Sequence, residues 1–111
     1  MPVTIWRNVI ADTYYADRRE PVLSQRGVGI EVRIDESEIV VSYEDEDGIV
    51  IYRGNNDGSG HFALNAPERD GKASLHRFPP DGNILEGSWV EDGARGMWRI
   101  ELREPDQGEE A

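Results

Sequence analysis

The chain has 111 residues, 37% hydrophobic and 32% charged, which is enough apolar material for one core and too short a length for two. Asp and Glu outnumber Lys and Arg by 23 to 12, and the net charge of −11 repels nucleic-acid phosphates and anionic membrane surfaces. There is no cysteine, which excludes disulfide frameworks, thiolate metal sites and thiol catalysis.

In chain order, the first segment, Val3 to Ile10, carries Trp6 and reads as a strand. It lacks the basic flank and long apolar run of a secretory signal, and no later run reaches a membrane span, so a soluble, cytoplasmic protein is expected. Asp12 to Glu20 either extends that strand or forms a short helix capped by Asp12 and stopped before Pro21. The extended form is preferred, with a long loop through Gln25 and Gly27 after it.

From there, turn signals recur every roughly 10 to 12 residues: Asp35-Glu36-Ser37, Asp45 to Gly48, Asn55 to Gly60, Pro67 to Gly71, Pro79 to Asn83 and Asp92-Gly93. Between them, runs rich in Ile, Val, Tyr, Phe and Trp read as strands at Val28 to Ile34, Glu38 to Glu44, Ile49 to Gly54, His61 to Asn65, Lys72 to Phe78, Ile84 to Glu91 and Gly96 to Arg103. No helical apolar stripe interrupts them, and the connections are too short for crossover helices. The expected fold is therefore all-β, an antiparallel up-and-down meander of about eight strands closed into a barrel. It occupies residues 1–103 as a single domain. Residues 104–111 are acidic, contain Pro105 and Gly108, and have no apolar anchor, so a disordered tail is expected.

Alternation then assigns faces. In the last hairpin, with Gly93-Ala94 at the tip, Trp89 opposes Trp98, Gly87 opposes Ile100 and Leu85 opposes Leu102, while Ser88, Arg99, Glu86 and Glu101 share the wet face. A five-residue loop, Pro79 to Asn83, sets Ala73 opposite Trp89, Leu75 opposite Gly87, Arg77 opposite Leu85, and His76 opposite Glu86 on the outside. Ile30, Val32 and Ile34 face in, as do Ile39, Val41 and Tyr43. Ile49 to Arg53 is apolar on both sides, so either Tyr52 or Arg53 points inward; a three-residue loop ending in a left-handed Gly48 favours Arg53. The outer Val40 and Val50 would suit an interface if exposed.

The oxygen-rich segment Asn55 to Gly60 has the spacing of the start of a calcium loop. Its twelfth position is Ala66 rather than a bidentate Glu, and its flanks are strands, so it reads as a hairpin loop. No metal ligand set and no cofactor is expected. His61 and His76, Ser59 and Ser88 form no recognisable catalytic constellation, and the many carboxylates follow from composition.

The aromatic residues carry the functional reading. Trp89, Trp98 and Tyr43 line the interior, and Arg53 and Arg77 sit at the inward ends of their strands. Guanidinium groups at a mouth lined by Trp and Tyr suit a small hydrophobic or carboxylate ligand. The same aromatics also serve as core packing, with both arginines paired to rim carboxylates.

Together with the eight-strand meander, Gly87-Ser88-Trp89 (G-x-W) and Trp6-Arg7-Asn8 (W-x-N) resemble the calycin barrels, the lipocalins and avidins. The G-x-W stands near the end here, where lipocalins have it at the beginning, and Thr4 stands where the avidin motif has glycine. The resemblance implies ligand binding inside the barrel without catalysis. The leading expectation is thus a non-enzymatic small-ligand-binding barrel. A structural or protein-interaction module with a fully packed interior is the alternative, and an enzyme comes third.

Overall fold

The computed structural model describes residues 3–7, 9–15, 23–26, 30–45, 48–77, 79 and 82–103. The expected tail at 104–111 and the helical alternative beyond Tyr15 lie outside the described residues. Ten strands and one 3-10 turn make up the described regular structure. They are β1 (Thr4–Trp6), β2 (Val9–Tyr15), β3 (Leu23–Arg26), β4 (Ile30–Ile34), β5 (Glu38–Asp45), β6 (Gly48–Asn55), β7 (His61–Ala66), the turn Pro67–Arg69, β8 (Gly71–His76), β9 (Ile84–Glu91) and β10 (Ala94–Leu102). None of the described elements is a helix long and apolar enough to cross a membrane.

The sheet order is β1-β4-β5-β6-β7-β8-β9-β10-β2-β3, and every pairing is antiparallel. From β4 to β10 the strands follow one another as the expected meander. The N-terminal segment completes the ring: β1 lies on β4 (Trp6 opposite Val32), and β2, two residues further on, lies on β10 (Val9 opposite Leu102). Strands β1 and β2 therefore cover the two open edges between them and, counted as one stave with β4 to β10, make a nearly closed barrel of eight staves, a size whose interior side chains can fill. Strand β3 is a correction, because the segment around Gln25 pairs with β2 (Gln25 opposite Ala11) instead of looping. The residues of β2 past the closure would otherwise be an unpaired edge.

Turn chemistry explains the registers. At the β4–β5 corner, one carboxylate oxygen of Asp35 accepts the Ser37 and Glu38 amides, both at 2.8 Å, and these bonds hold the Asp35 carboxyl below its ordinary pKa. At the β9–β10 corner, Asp92 and Gly93 both have positive φ, 51° and 86°, the pattern of a two-residue I′ hairpin. That tip corrects the expected pairing by two residues: Trp89 faces Gly96, and Trp98 faces Gly87. Because the shift is even, the inward and outward sets survive. On the other side of β9, Ala73 opposes Trp89, Leu75 opposes Gly87 and His76 opposes Glu86, as the spacing predicts.

Strand β6 settles the open alternative. Asp45 pairs directly with Gly48, which leaves two residues between the strands rather than three, so Tyr43 opposes Val50 and Val41 opposes Tyr52. Tyr52 is fully buried, whereas Arg53 points outward with 63% of its side chain exposed. The same parity buries Val50 and exposes Ile49 and Ile51, and Val40 is also largely covered, so neither valine offers the outer surface expected of it. Inside, one continuous cluster joins all strands from β4 to β10 with β1 and β2, including Phe62, Leu75, Trp89 and Trp98. Among the described residues, no buried side-chain nitrogen or oxygen lacks a hydrogen-bond partner.

Candidate functional site

The inward face of β9 runs Leu85, Gly87, Trp89 and ends on Glu91, so a carboxylate stands at one end of the barrel. Two phenols converge on it. Tyr43 Oη lies 2.6 and 2.8 Å from its two oxygens, and Tyr52 donates to Oε1 at 2.7 Å. Arg69, delivered by the 3-10 turn, brings a guanidinium nitrogen to 3.6 Å from the second oxygen. Beneath them Trp98 meets the edges of both tyrosines, with ring centroids 6.1 Å from Tyr43 and 5.4 Å from Tyr52, and its indole N–H donates to Thr13 at 3.0 Å. Gly71 leaves the space for the Tyr52 phenol, since a Cβ there would lie 2.7 Å from its oxygen.

Two phenols and a guanidinium over an aromatic floor suit a small carboxylate, although of the residues expected to hold one only Tyr43 and Trp98 belong to the set. The carboxylate is the chain's own. Arg69 takes the place expected for Arg53, which instead lies near Glu38 on the outer wall, 3.8 Å away. Arg77 follows directly on the end of β8, half-buried, 5.3 Å over the Trp6 ring, with its Nε donating to the Gly82 carbonyl. Thus Tyr43 and Trp98 come together, Trp89 is core with its indole N–H on the Met97 carbonyl, and the two arginines are brought to neither. Glu91 was legible from alternation, two positions beyond Trp89, while nothing local marks Arg69.

Burial, and after it the bond to Glu91, push the Tyr52 phenol far above the ordinary tyrosine range. The folded chain therefore holds this proton more tightly than the unfolded one. The resulting stability is fully present below about pH 10 and declines above it, where the phenol ionises in the unfolded chain while the folded one keeps its proton. Urea unfolding between about pH 9 and about pH 11 is expected to show a steeper alkaline loss for the wild type than for Tyr52→Phe. Equal slopes would place the responsible ionisation elsewhere.

The other opening is lateral. Strand β6 pairs with β5 along its whole length, from Glu38–Asn55 to Asp45–Gly48, but with β7 only at Arg53–Asn65 and Gly54–Leu64. Beyond Asn65 the chain turns away at Pro67, which has no N–H to give a ladder. A cleft of about 510 Å³ opens between β6 and the 3-10 turn, lined by Val50, Ile51, Arg53, Ala66, Pro67 and Arg69 among others. Ile51, 46% exposed, stands on its outer lip, and Ile49, 62% exposed, lies two positions before it on the same strand. In the Asn55–Gly60 loop, the oxygens of Asn56 and Asp57 accept the Gly58 and Ser59 amides, each at 3.0 Å, so that loop organises itself as a hairpin.

No family model matches this chain, and no curated protein matches it.

Proposed function

We propose that this chain is a non-enzymatic interaction module: the barrel interior is a structural core, and the recognition site is the free side of β6, which takes an extended peptide from a partner as an added strand. The carrying observation is that β6 is paired over eight residues on one side and two on the other. Backbone groups of a strand select another strand, and side chains at alternate positions supply specificity. Ile51 on the outer lip and Ile49, two positions before it, offer two such exposed apolar positions, and Arg53 offers a cation for an acidic residue of the peptide. The packed interior supports the same reading, because Phe62, Leu75, Trp89 and Trp98 are all buried there and Glu91 occupies the cationic mouth.

A second reading follows from the volume of the cleft, which lies in the range of small-molecule sites and keeps Arg53 as a carboxylate anchor. It places the small ligand outside the barrel, whereas the calycin resemblance places it inside.

Selection of random peptides displayed on phage, against wild type and Ile51→Lys, tests the first reading. Peptides with alternating apolar residues should bind the wild type and lose about tenfold or more in affinity on the variant, as for loss of an interface anchor. Selection of no peptide, or of peptides indifferent to Ile51→Lys, would overturn it. A small carboxylate that binds wild type but not Arg53→Gln would establish the second reading instead.

A further inference from the structure

The outer wall of β7 to β10 is ruled by rows of side chains that run across the strands. One row reads His61, His76, Glu86, Arg99, with each residue directly opposite the next. The two imidazoles are exposed cross-strand neighbours with ring centroids 4.6 Å apart and planes inclined by 50°. Sequence spacing alone leaves them fifteen positions apart and unrelated. It is the four-residue connection Pro67–Asp70, with Ala66 pairing directly with Gly71, that sets them opposite each other.

We propose that His61 and His76 form a two-imidazole chelate for a divalent transition-metal ion of tetragonal preference, copper(II) foremost, on the outer wall of the barrel. The separation of the rings carries the argument. An imidazole nitrogen binds such an ion at about 2.0 Å, which puts the ring centre about 3.2 Å from the metal, and two rings at a right angle then have centres about 4.5 Å apart. The rings stand at 4.6 Å without rearrangement of the sheet. They are carried on strands and need only side-chain rotation to aim a nitrogen each at a common point. The second ring then binds intramolecularly, at high effective concentration. Nitrogen ligands in a square arrangement with water filling the rest favour copper(II) and nickel(II), and copper(II) stands highest in the usual affinity order.

Neighbouring groups leave this a two-ligand site. Glu86 lies on the far side of His76 and faces the Arg99 guanidinium at 3.5 Å. The Asp57 carboxylate accepts the Ser59 amide within its own loop. Among the described residues, no group of three or more His, Cys, Asp or Glu side chains converges as a metal site, so open positions remain for water or an external ligand.

Titration of the full chain with copper(II) in a non-coordinating buffer, followed by calorimetry and by the nitrogen hyperfine pattern in electron paramagnetic resonance, tests the proposal. One ion per chain with two nitrogen ligands is the expected result. His61→Asn and His76→Asn should each weaken binding by about tenfold or more through loss of the chelate, and Glu86→Gln should change it by less than about threefold. Circular dichroism of the metal-free variants should match the wild type, since both rings are exposed. Wild-type affinity in either histidine variant, or a loss in Glu86→Gln as large as theirs, would overturn the two-imidazole site.

Discussion

Trp98→Ala should lower the unfolding free energy by about 3 to 5 kcal/mol, a large part of the roughly 5 to 15 kcal/mol that such a domain possesses. The indole is buried between two tyrosine edges, with Gly87 on one neighbouring strand and Thr13 on the other. Glycine opposite tryptophan leaves no side chain to collapse into the void, so the cavity persists. The truncation also removes the donor to the Thr13 hydroxyl. Met97, one position earlier and half exposed on the outer face, is the control: Met97→Ala should remain within about 1 kcal/mol. Urea unfolding measures both. Similar losses at the two positions would mean that the faces of β10 are reversed.

Removal of the mouth carboxylate should cost nearly as much. In Glu91→Ala the Tyr43 and Tyr52 hydroxyls lose their acceptor and Arg69 its counter-ion, all at least half-buried. Unpaired buried donors cost about 1 to 3 kcal/mol each, and partial access of water to this mouth limits the total to about 2 to 4 kcal/mol. Glu91→Gln retains an acceptor for the phenols but turns amide hydrogens toward the guanidinium, so about half that loss is expected. In a double-mutant cycle with Tyr52→Phe, the two changes should couple by about 1 kcal/mol or more, because they remove opposite ends of one bond. Additivity would show that water replaces the phenol freely, and the mouth would then be open enough to admit a ligand.

The faces of β4, β5, β8, β9 and β10 were legible because Glu31, Arg33, Ser42, Glu86, Arg99 and Glu101 mark the outward positions clearly enough to outweigh the apolar Val40, Val90 and Met97 among them. Strand β6 was not legible: Ile49 to Tyr52 is apolar at every position, and only the loop length, a matter of one residue, decides which set is buried. The last hairpin shows the complementary case, since choosing Gly93-Ala94 over Asp92-Gly93 moved every partner while leaving every face intact. The mouth was half legible. Tyr43 and Trp98 followed from alternation, and Glu91 follows from it too, but a carboxylate at a strand end reads as rim until its phenols are seen. The cleft beside β6 and the His61–His76 pair arise from where the chain turns at Pro67, a tertiary consequence that no single strand announces.

The division of the N-terminal segment between two partners has a bearing on how the chain reaches this state. Strand β1 is fastened to β4 and β2 to β10, which ends at Leu102, so the contacts that shut the ring span most of the sequence. Loop-closure entropy must be met before those contacts return anything, which sets a slow folding rate relative to stability. During synthesis the N-terminal segment emerges first, and until β10 has left the ribosome β2 lacks the partner that closes the ring. In that interval β2, Val9–Tyr15, exposes the edge that β10 later covers to other nascent chains. Aggregation should therefore be governed by the time taken to close, and a circular permutant that joins the two ends and opens the chain at the Asn55–Gly60 loop would shorten that wait while keeping the β2–β10 pairing of the finished barrel.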